Sequence, residues 1–310
     1  MAKKLRFEDL ESPLIRQRKP GDQFHTVGVI GLGVMGQGIV ETVAGAGIEV
    51  IGVEKTDATL KTGLDSLNHA MDLEIKRWGK TASEKRAVLS RVRGTTTMAD
   101  LKDVDIVIEA VDENFELKRR LIDEFYATGK PKAIFISNTA SLSLSKLAEG
   151  AKHPDQIVGM HFLNPVPVIP LVEIVRGMKT SDATFVLAKA FAERIGKTPV
   201  EVFEYPGFIT TRVILPLLNE AMHVLMEGIA SARDIDTAMK LGYGMQHGPL
   251  ELADAMGLDE VLMWMDTLWH ELGETRYRPC PLLRRMVRES KLGKKVGEGF
   301  FSYNEDGKQK

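Results

Sequence analysis

The sequence predicts an α/β protein, with a doubly wound, mostly parallel sheet followed by a second, all-helical C-terminal domain. Three observations predict it. Up to about Glu204, short apolar runs alternate with amphipathic stretches, as strands do when they cross over through helices into a parallel sheet. From Pro206 onward strand signals nearly vanish and helical periodicity dominates. Between the first apolar run and the first helical stretch stands Gly31-Leu32-Gly33-Val34-Met35-Gly36, which marks the sheet as Rossmann-type. At 310 residues the chain exceeds the usual size of one domain, so two cores are expected. The division runs 1–25 as a surface extension, 26–204 as the nucleotide-binding half and 205–310 as the helical half.

Taken in order, Val27 to Ile30 is the first strand and the glycine string opens the first helix. The first glycine, Gly31, permits the turn, Gly33 lets a pyrophosphate approach the backbone, and Gly36 lets helix pack on strand; Val34 and Met35 lie between them. Val50 to Glu54 is the second strand. Glu54 stands 21 residues beyond Gly33, where a carboxylate accepts bonds from the adenosine ribose hydroxyls and repels a 2'-phosphate, so NAD is favoured over NADP. Lys55 tempers that preference. The plainer alternative, a glycine turn without a ligand, is disfavoured by the agreement of strand, spacing and acid. The crossover from Ala58 to about Arg91 is polar, clusters Lys76, Arg77 and Lys80, and reads as a pair of helices. Further strands are expected at Asp105 to Ala110, Ala133 to Ser137, Ile157 to His161, Leu171 to Arg176 and Pro199 to Val202. Helices follow at Ile209 to Met226, Ala232 to Lys240, Leu250 to Leu272 and Leu282 to Ser290.

Composition excludes several classes. With 41 basic against 43 acidic residues the net charge is -2, which argues against nucleic-acid binding by the whole surface. Cys280 is the sole cysteine, so no internal disulfide forms, and a reducing, cytoplasmic compartment is expected. No apolar stretch reaches the roughly 18 residues that span a bilayer, and the first 25 residues lack the apolar run of a secretory signal. No internal repeat and no metal-ligand spacing is present, so no metal is expected.

The most informative segment is His161-Phe162-Leu163-Asn164-Pro165-Val166, twelve residues ahead of Glu173. His161 ends a strand at the edge where open parallel sheets place their ligands. A histidine titrates near neutral pH, so it can take a proton from an alcohol as hydride leaves the same carbon. If the chain turns through Asn164-Pro165-Val166-Pro167 into an antiparallel strand, Glu173 returns beside His161, fixes its tautomer and stabilises the imidazolium. By spacing alone, His161 reads equally well as a buried, hydrogen-bonded core histidine. His25, His69, His153, His223 and His270 lack such a setting, and His247 reads as a turn residue.

Six segments together carry a family resemblance. They are Val29-Ile30-Gly31-Leu32-Gly33-Val34-Met35-Gly36, Val107-Ile108-Glu109-Ala110-Val111-Asp112-Glu113-Asn114, Ser137-Asn138-Thr139, Gly159-Met160-His161-Phe162-Leu163-Asn164-Pro165-Val166-Pro167, Pro206-Gly207-Phe208 and Gly297-Glu298-Gly299-Phe300. From about Thr26 to Tyr303 the chain resembles the L-3-hydroxyacyl-CoA dehydrogenase family, which includes the 3-hydroxybutyryl-CoA dehydrogenases. The resemblance implies NAD-dependent oxidation of a 3-hydroxyacyl-CoA to the 3-ketoacyl-CoA, or the reverse, as in fatty-acid β-oxidation. It also implies a homodimer built mainly through the helical domain, with substrate held in a cleft between domains. By position it makes His161 the base and Glu173 its partner, with Asn164 placing the nicotinamide. Val111, Glu113 and Lys118 would line the cofactor ribose and nicotinamide side, Asn138 would sit on the cleft edge, and Lys295 would reach the site from the helical domain. Lys118 reads alternatively as a solvated helix lysine. Lys76 and Arg77 are candidates for the CoA phosphates, against a solvated charged face.

Two positions depart from the family pattern. Ala140 stands where the family usually has a serine, losing a hydroxyl expected near the reacting oxygen and nicotinamide, and Thr211 where it usually has an asparagine, keeping a shorter donor. Ser141 and Thr139 are the candidates to supply the missing hydroxyl. A free 3-hydroxy acid is an alternative substrate, since related branches share the His-Glu pair, and loss of the family serine leaves room for a crystallin-like NAD-binding structural protein. Dehydrogenases of the 3-hydroxyisobutyrate type share the glycine string but depend on a helical lysine and lack the His-Phe-Leu-Asn-Pro run.

Overall fold

The computed structural model describes residues 24–76, 79–140, 142–304 and 307–310. Arg77, Ser141 and residues 1–23 lie outside the described residues. The elements are β1 (Thr26–Ile30), α1 (Val34–Gly45), β2 (Glu49–Val53), α2 (Asp57–Lys76), α3 (Ala82–Leu89), β3 (Val92–Thr95), β4 (Ile106–Glu109), α4 (Phe115–Thr128), β5 (Ile134–Ser137), α5 (Leu144–Ala148), β6 (Ile157–Phe162), β7 (Leu171–Arg176), α6 (Asp182–Arg194) and β8 (Thr198–Phe203). Helices α7 (Thr210–Met226), α8 (Ala232–Tyr243), α9 (Pro249–Met256), α10 (Leu258–Leu272) and α11 (Pro281–Arg288) follow.

The eight strands form one sheet in the order β3-β2-β1-β4-β5-β6-β7-β8. Strands β1 to β6 pair in parallel. β4, β5 and β6 are buried along their whole length, which is why they read as unbroken apolar runs. Only eight residues join β6 to β7, too few for the crossover that parallel neighbours need. Thr180 meets the Ile157 carbonyl while Glu173 meets His161, so the numbers run in opposite senses and β7 is antiparallel to β6. β8 returns parallel to β7: Thr198 N–H donates to the Pro170 carbonyl and Glu204 N–H to the Arg176 carbonyl.

The chain divides into two compact units. One holds the described residues up to Asn138 with Ala148–Ile174 and Lys179–Val200; the other holds Thr139–Leu147, Val175–Met178 and Glu201–Lys310. In the first, Ile39, Val40 and Val43 of α1 pack with Val27, Val29 and Ile108 of the sheet. In the second, Leu215 and Leu218 of α7 share a core with Leu250, Val261, Met265 and Leu283.

Three features depart from the sequence reading. Phe24 is buried and meets Phe191 edge to face at 5.5 Å, and the His25 carbonyl accepts from Glu49 N–H at 3.1 Å. These two residues therefore belong to the folded unit and not to the extension. β3 was not anticipated, because Val92-Arg93-Gly94-Thr95 is short and half polar and is specified by pairing with β2. The expected helix from Leu250 to Leu272 is two helices, broken at Gly257, whose φ of +96° leaves the helical region.

Candidate active site

The glycine turn sits where the strand order reverses, between β2 and β4 on either side of β1. Gly31 has φ +90°, and an added Cβ would press on the Ala110 carbonyl, so only glycine fits. A Cβ on Gly36 would run into the Gly31 carbonyl, which is the close approach that packs α1 on β1. A Cβ on Gly33 would meet nothing within 4 Å; it would project into the open space before the helix. Gly33 is also the N-cap of α1, where no side chain caps the first turn and no acidic residue stands in it. Its N-terminal N–H groups thus present a positive, uncapped end with room for a pyrophosphate. Val34, 71% exposed, flanks that space, and Met35 packs against the core. Glu54 is brought to the turn as its sequence position predicts: Oε1 accepts from Leu32 N–H at 2.5 Å and Oε2 from Lys55 N–H at 3.2 Å. This cradle fits a dinucleotide.

The ends of β4 and β5 hold a buried charged cluster. Lys118 is not a solvated lysine: its side chain is 0% exposed. The amphipathic α4 turns it inward, and its ammonium reaches Glu109 Oε1 at 2.7 Å, the Val111 carbonyl at 3.3 Å and Glu113 at 3.3 Å. Glu109 also accepts from Val111 N–H at 2.8 Å and from the Ser137 hydroxyl at 2.7 Å. The loop carrying Val111 and Glu113 is therefore fixed from below by a satisfied ion pair. Sequence reasoning missed Glu109 and Ser137 as parts of this cluster, although a carboxylate closing an otherwise apolar strand was a visible sign.

The structure brings His161 and Glu173 together. His161 Nδ1 and Glu173 Oε2 are 2.6 Å apart, with the side chains 8% and 1% exposed. Because a carboxylate accepts, this contact favours the tautomer that carries its proton on Nδ1. Asn138 closes the adjacent strand end, its Oδ1 accepting from Phe162 N–H at 3.1 Å, so the carboxamide ties β5 to the strand that presents His161. Asn164 is exposed in the loop after β6. His247 is an exposed turn residue held by Glu251 at 3.2 Å.

The remaining candidates fall elsewhere in their units. Lys76 closes α2 and is exposed. In the second unit Thr211 is buried in the first turn of α7, and Ala140 is half-buried. Lys295 is engaged by Asp259 at 2.6 Å and lies 3.9 Å from Glu260, so acidic neighbours offset its charge. Among the described residues no group of three His, Cys, Asp or Glu is arranged to hold a metal, and no helix is long and apolar enough to cross a membrane.

Comparison with known proteins matches residues 26–205 to the model of the 3-hydroxyacyl-CoA dehydrogenase NAD-binding domain, and residues 207–303 to that of the 3-hydroxyacyl-CoA dehydrogenase C-terminal domain. The chain is 42% identical to a probable 3-hydroxybutyryl-CoA dehydrogenase of Bacillus subtilis over 89% of its own length and 96% of the relative's. It is 38% identical to the human mitochondrial hydroxyacyl-coenzyme A dehydrogenase, covering 89% of this chain and 90% of that one. The crystal structure of (S)-3-hydroxybutyryl-CoA dehydrogenase from Ralstonia eutropha superposes with a TM-score of 0.83 at 41% identity, covering 91% of this chain and all of that one.

Proposed function

The chain belongs to the 3-hydroxyacyl-CoA dehydrogenase family, and from that premise we propose that His161, oriented by Glu173, takes the hydroxyl proton of an L-3-hydroxyacyl-CoA as the 3-keto product forms. The chain is an NAD-dependent oxidoreductase of 3-hydroxyacyl-CoA thioesters, the redox step of β-oxidation. NAD, when bound, supplies the hydride acceptor. The α1 N-terminus and the Gly31 to Gly36 turn hold its pyrophosphate, Glu54 takes the adenosine ribose, and Val111 and Glu113 line the nicotinamide ribose side with Asn138 and Asn164. In oxidation Nε2 accepts the proton and Glu173 stabilises the resulting imidazolium; in reduction the same imidazolium returns it. The observation that carries this reading is the 2.6 Å His161–Glu173 contact at the carboxyl end of β6.

Finer points follow from the relatives. Several are named for 3-hydroxybutyryl-CoA, so a four-carbon acyl group is the proposed substrate. Lys118 steadies the cofactor side from beneath; Lys295 and Lys76 with Arg77 are assigned to the cofactor side and to the CoA phosphates, and Ala140 and Thr211 to the acyl side. Residues 26–204 serve the cofactor and 205–310 the substrate and the partner subunit. A homodimer is supported by an apolar groove of about 440 Å³ lined by Leu217, Ala221, Val224, Ile235 and Met239 on α7 and α8. A buried sole cysteine, Cys280, suits a reducing compartment such as the cytoplasm.

A panel of L-3-hydroxyacyl-CoA thioesters with NAD and NADP, with free CoA as competitor, tests the reading. NADH formation on short-chain thioesters, inhibited by CoA, is expected. Turnover of free 3-hydroxy acids untouched by CoA would overturn the thioester assignment. Installing Ala140→Ser with Thr211→Asn should raise turnover by between about twofold and tenfold, the worth of one restored hydrogen bond; no gain would show that the two positions are not a weakened form of the family's site.

A further inference from the structure

The loop of residues 163–170 begins two residues after His161 and ends three before Glu173, so its shape sets how the two side chains meet. Part of it is held by itself, the Pro165 carbonyl accepting from Val168 N–H at 3.1 Å and Ile169 N–H at 3.0 Å. Val166 is buried against α1, where a Cβ on Gly38 would come within 2.9 Å of the Val166 Cβ. Two further carbonyls face Lys197. Its ammonium donates to the Val166 carbonyl and to the Ile169 carbonyl, the latter at 2.7 Å, while the next residue, Thr198, donates its N–H to the Pro170 carbonyl at 2.6 Å.

Lys197 is itself immobilised. Its N–H donates to the Ala192 carbonyl at the end of α6 at 2.9 Å, and the side chain is buried, the residue being 6% exposed. No carboxylate pairs with it among the described residues, and burial pushes its ammonium below the ordinary lysine value. A buried cation without a counter-charge is costly, and a methionine would fill the volume. What the ammonium adds is two hydrogen bonds to irregular loop backbone that has no strand or helix to satisfy it.

Resting on the reading of His161 and Glu173 given above, we propose that Lys197 is a positioning residue for the reaction, holding the loop between β6 and β7 so that the His161–Glu173 pair and Asn164 stay in register with the substrate. It acts through the two loop carbonyls of Val166 and Ile169. A misplacement of about 1 Å at reacting groups costs on the order of a hundredfold in rate, so a loop that sags by less still registers in turnover. The cavity beside it, about 510 Å³ and lined also by Glu41, Lys80 and Arg194, is roomy enough to admit a small alkylammonium ion.

The test compares the full-length protein with Lys197→Met, Lys197→Ala and, in parallel, His161→Ala. Lys197→Met should lower kcat about ten- to a hundredfold while changing the Kd for NADH, read by fluorescence, by no more than about threefold, because only Asn164 among the proposed cofactor contacts lies on the loop. The acidic limb of its kcat profile should move, since the histidine's partner moves. Ethylammonium added to Lys197→Ala should restore kcat at least about threefold without altering the parent. Unchanged kcat and pH profile in Lys197→Met would overturn the proposal, as would loss of NADH binding in step with activity and an unmoved pH limb. If Lys197→Met does not fold, rescue of Lys197→Ala decides; if neither folds, the lysine serves the whole unit and the proposal fails. Activity retained by His161→Ala overturns the base assignment instead, so the two failures are distinct.

Discussion

Two buried pairs stand at strand ends of the same unit. His161–Glu173 closes β6 and is a few per cent open, whereas Lys118–Glu109 lies beside β4 with both side chains 0% exposed. Each joins a carboxylate to a nitrogen base at about hydrogen-bond length. They differ in what surrounds them. Lys118 spends its donors on Glu109, Val111 and Glu113, and Glu109 accepts from Lys118, Val111 and Ser137. That pair is saturated by its own protein and can only hold the loop above it. The His161 pair uses an imidazole, whose Nδ1 faces Glu173 and which has a second ring nitrogen besides. A buried carboxylate–nitrogen pair thus serves structure at Lys118, and the reading proposed above gives the pair at His161 a chemical task.

The comparison breaks first at Lys118. Lys118→Met leaves Glu109 buried without its cation and should cost about 3–5 kcal/mol in urea unfolding, with Lys118→Met/Glu109→Leu recovering most of it. A single variant as stable as the parent would remove the structural half of the contrast. Next, His161→Ala should lower kcat/KM for oxidation by about a hundredfold or more while shifting the unfolding midpoint less than Lys118→Met does. Activity within about threefold of the parent would exclude His161 as the base. Smaller again, Glu54→Ala removes one charge-assisted contact and should raise the KM for NAD about tenfold with kcat little changed. An unaltered KM would detach Glu54 from the ribose.

The smallest effect sharpens the contrast with a third kind of buried charge. Among the described residues Asp254 meets no cation, and it is held by Phe300 N–H, Phe301 N–H and the Tyr303 hydroxyl. Burial outweighs these donors and raises its carboxyl above the ordinary value. A raised acid favours the folded chain while protonated, so its contribution is full below the unfolded-state value of 3.8 and is lost as pH rises through the folded one. Asp254→Asn should therefore remove a fall in stability with rising pH that begins near 3.8, so that the variant gains on the parent as pH rises above that value, measured by urea midpoints. A slope identical to the parent's would show that the carboxyl does not titrate with folding.

How far the sequence revealed these sites follows from distance along the chain. His161 and Glu173 lie twelve residues apart across a loop too short for anything but an antiparallel return, so their meeting was readable. Gly31, Gly33, Gly36 and Glu54 were readable because a glycine requirement and a strand-end acid leave local marks. Lys118 read as either a solvated lysine or a cofactor residue, since what buries it is the strand nine residues upstream together with Ser137 on the next strand. Lys197 left no mark, because its partners are main-chain carbonyls some thirty residues earlier, and carbonyls carry no residue identity. Gly257 was hidden by apolar periodicity that continues on both sides of the break, and β3 by a sequence whose strand character comes only from β2.

The central claim is that His161 and Glu173 act on the alcohol as one unit, and a double-mutant cycle on kcat/KM for L-3-hydroxybutyryl-CoA oxidation tests it most directly. His161→Ala, Glu173→Gln and the double variant are assayed together, with NADH binding confirming intact cofactor sites. The account predicts that Glu173→Gln adds little once the imidazole is gone, leaving the double variant within about threefold of His161→Ala. Losses that multiply in the double variant would mean that the two residues work independently, and would contradict it.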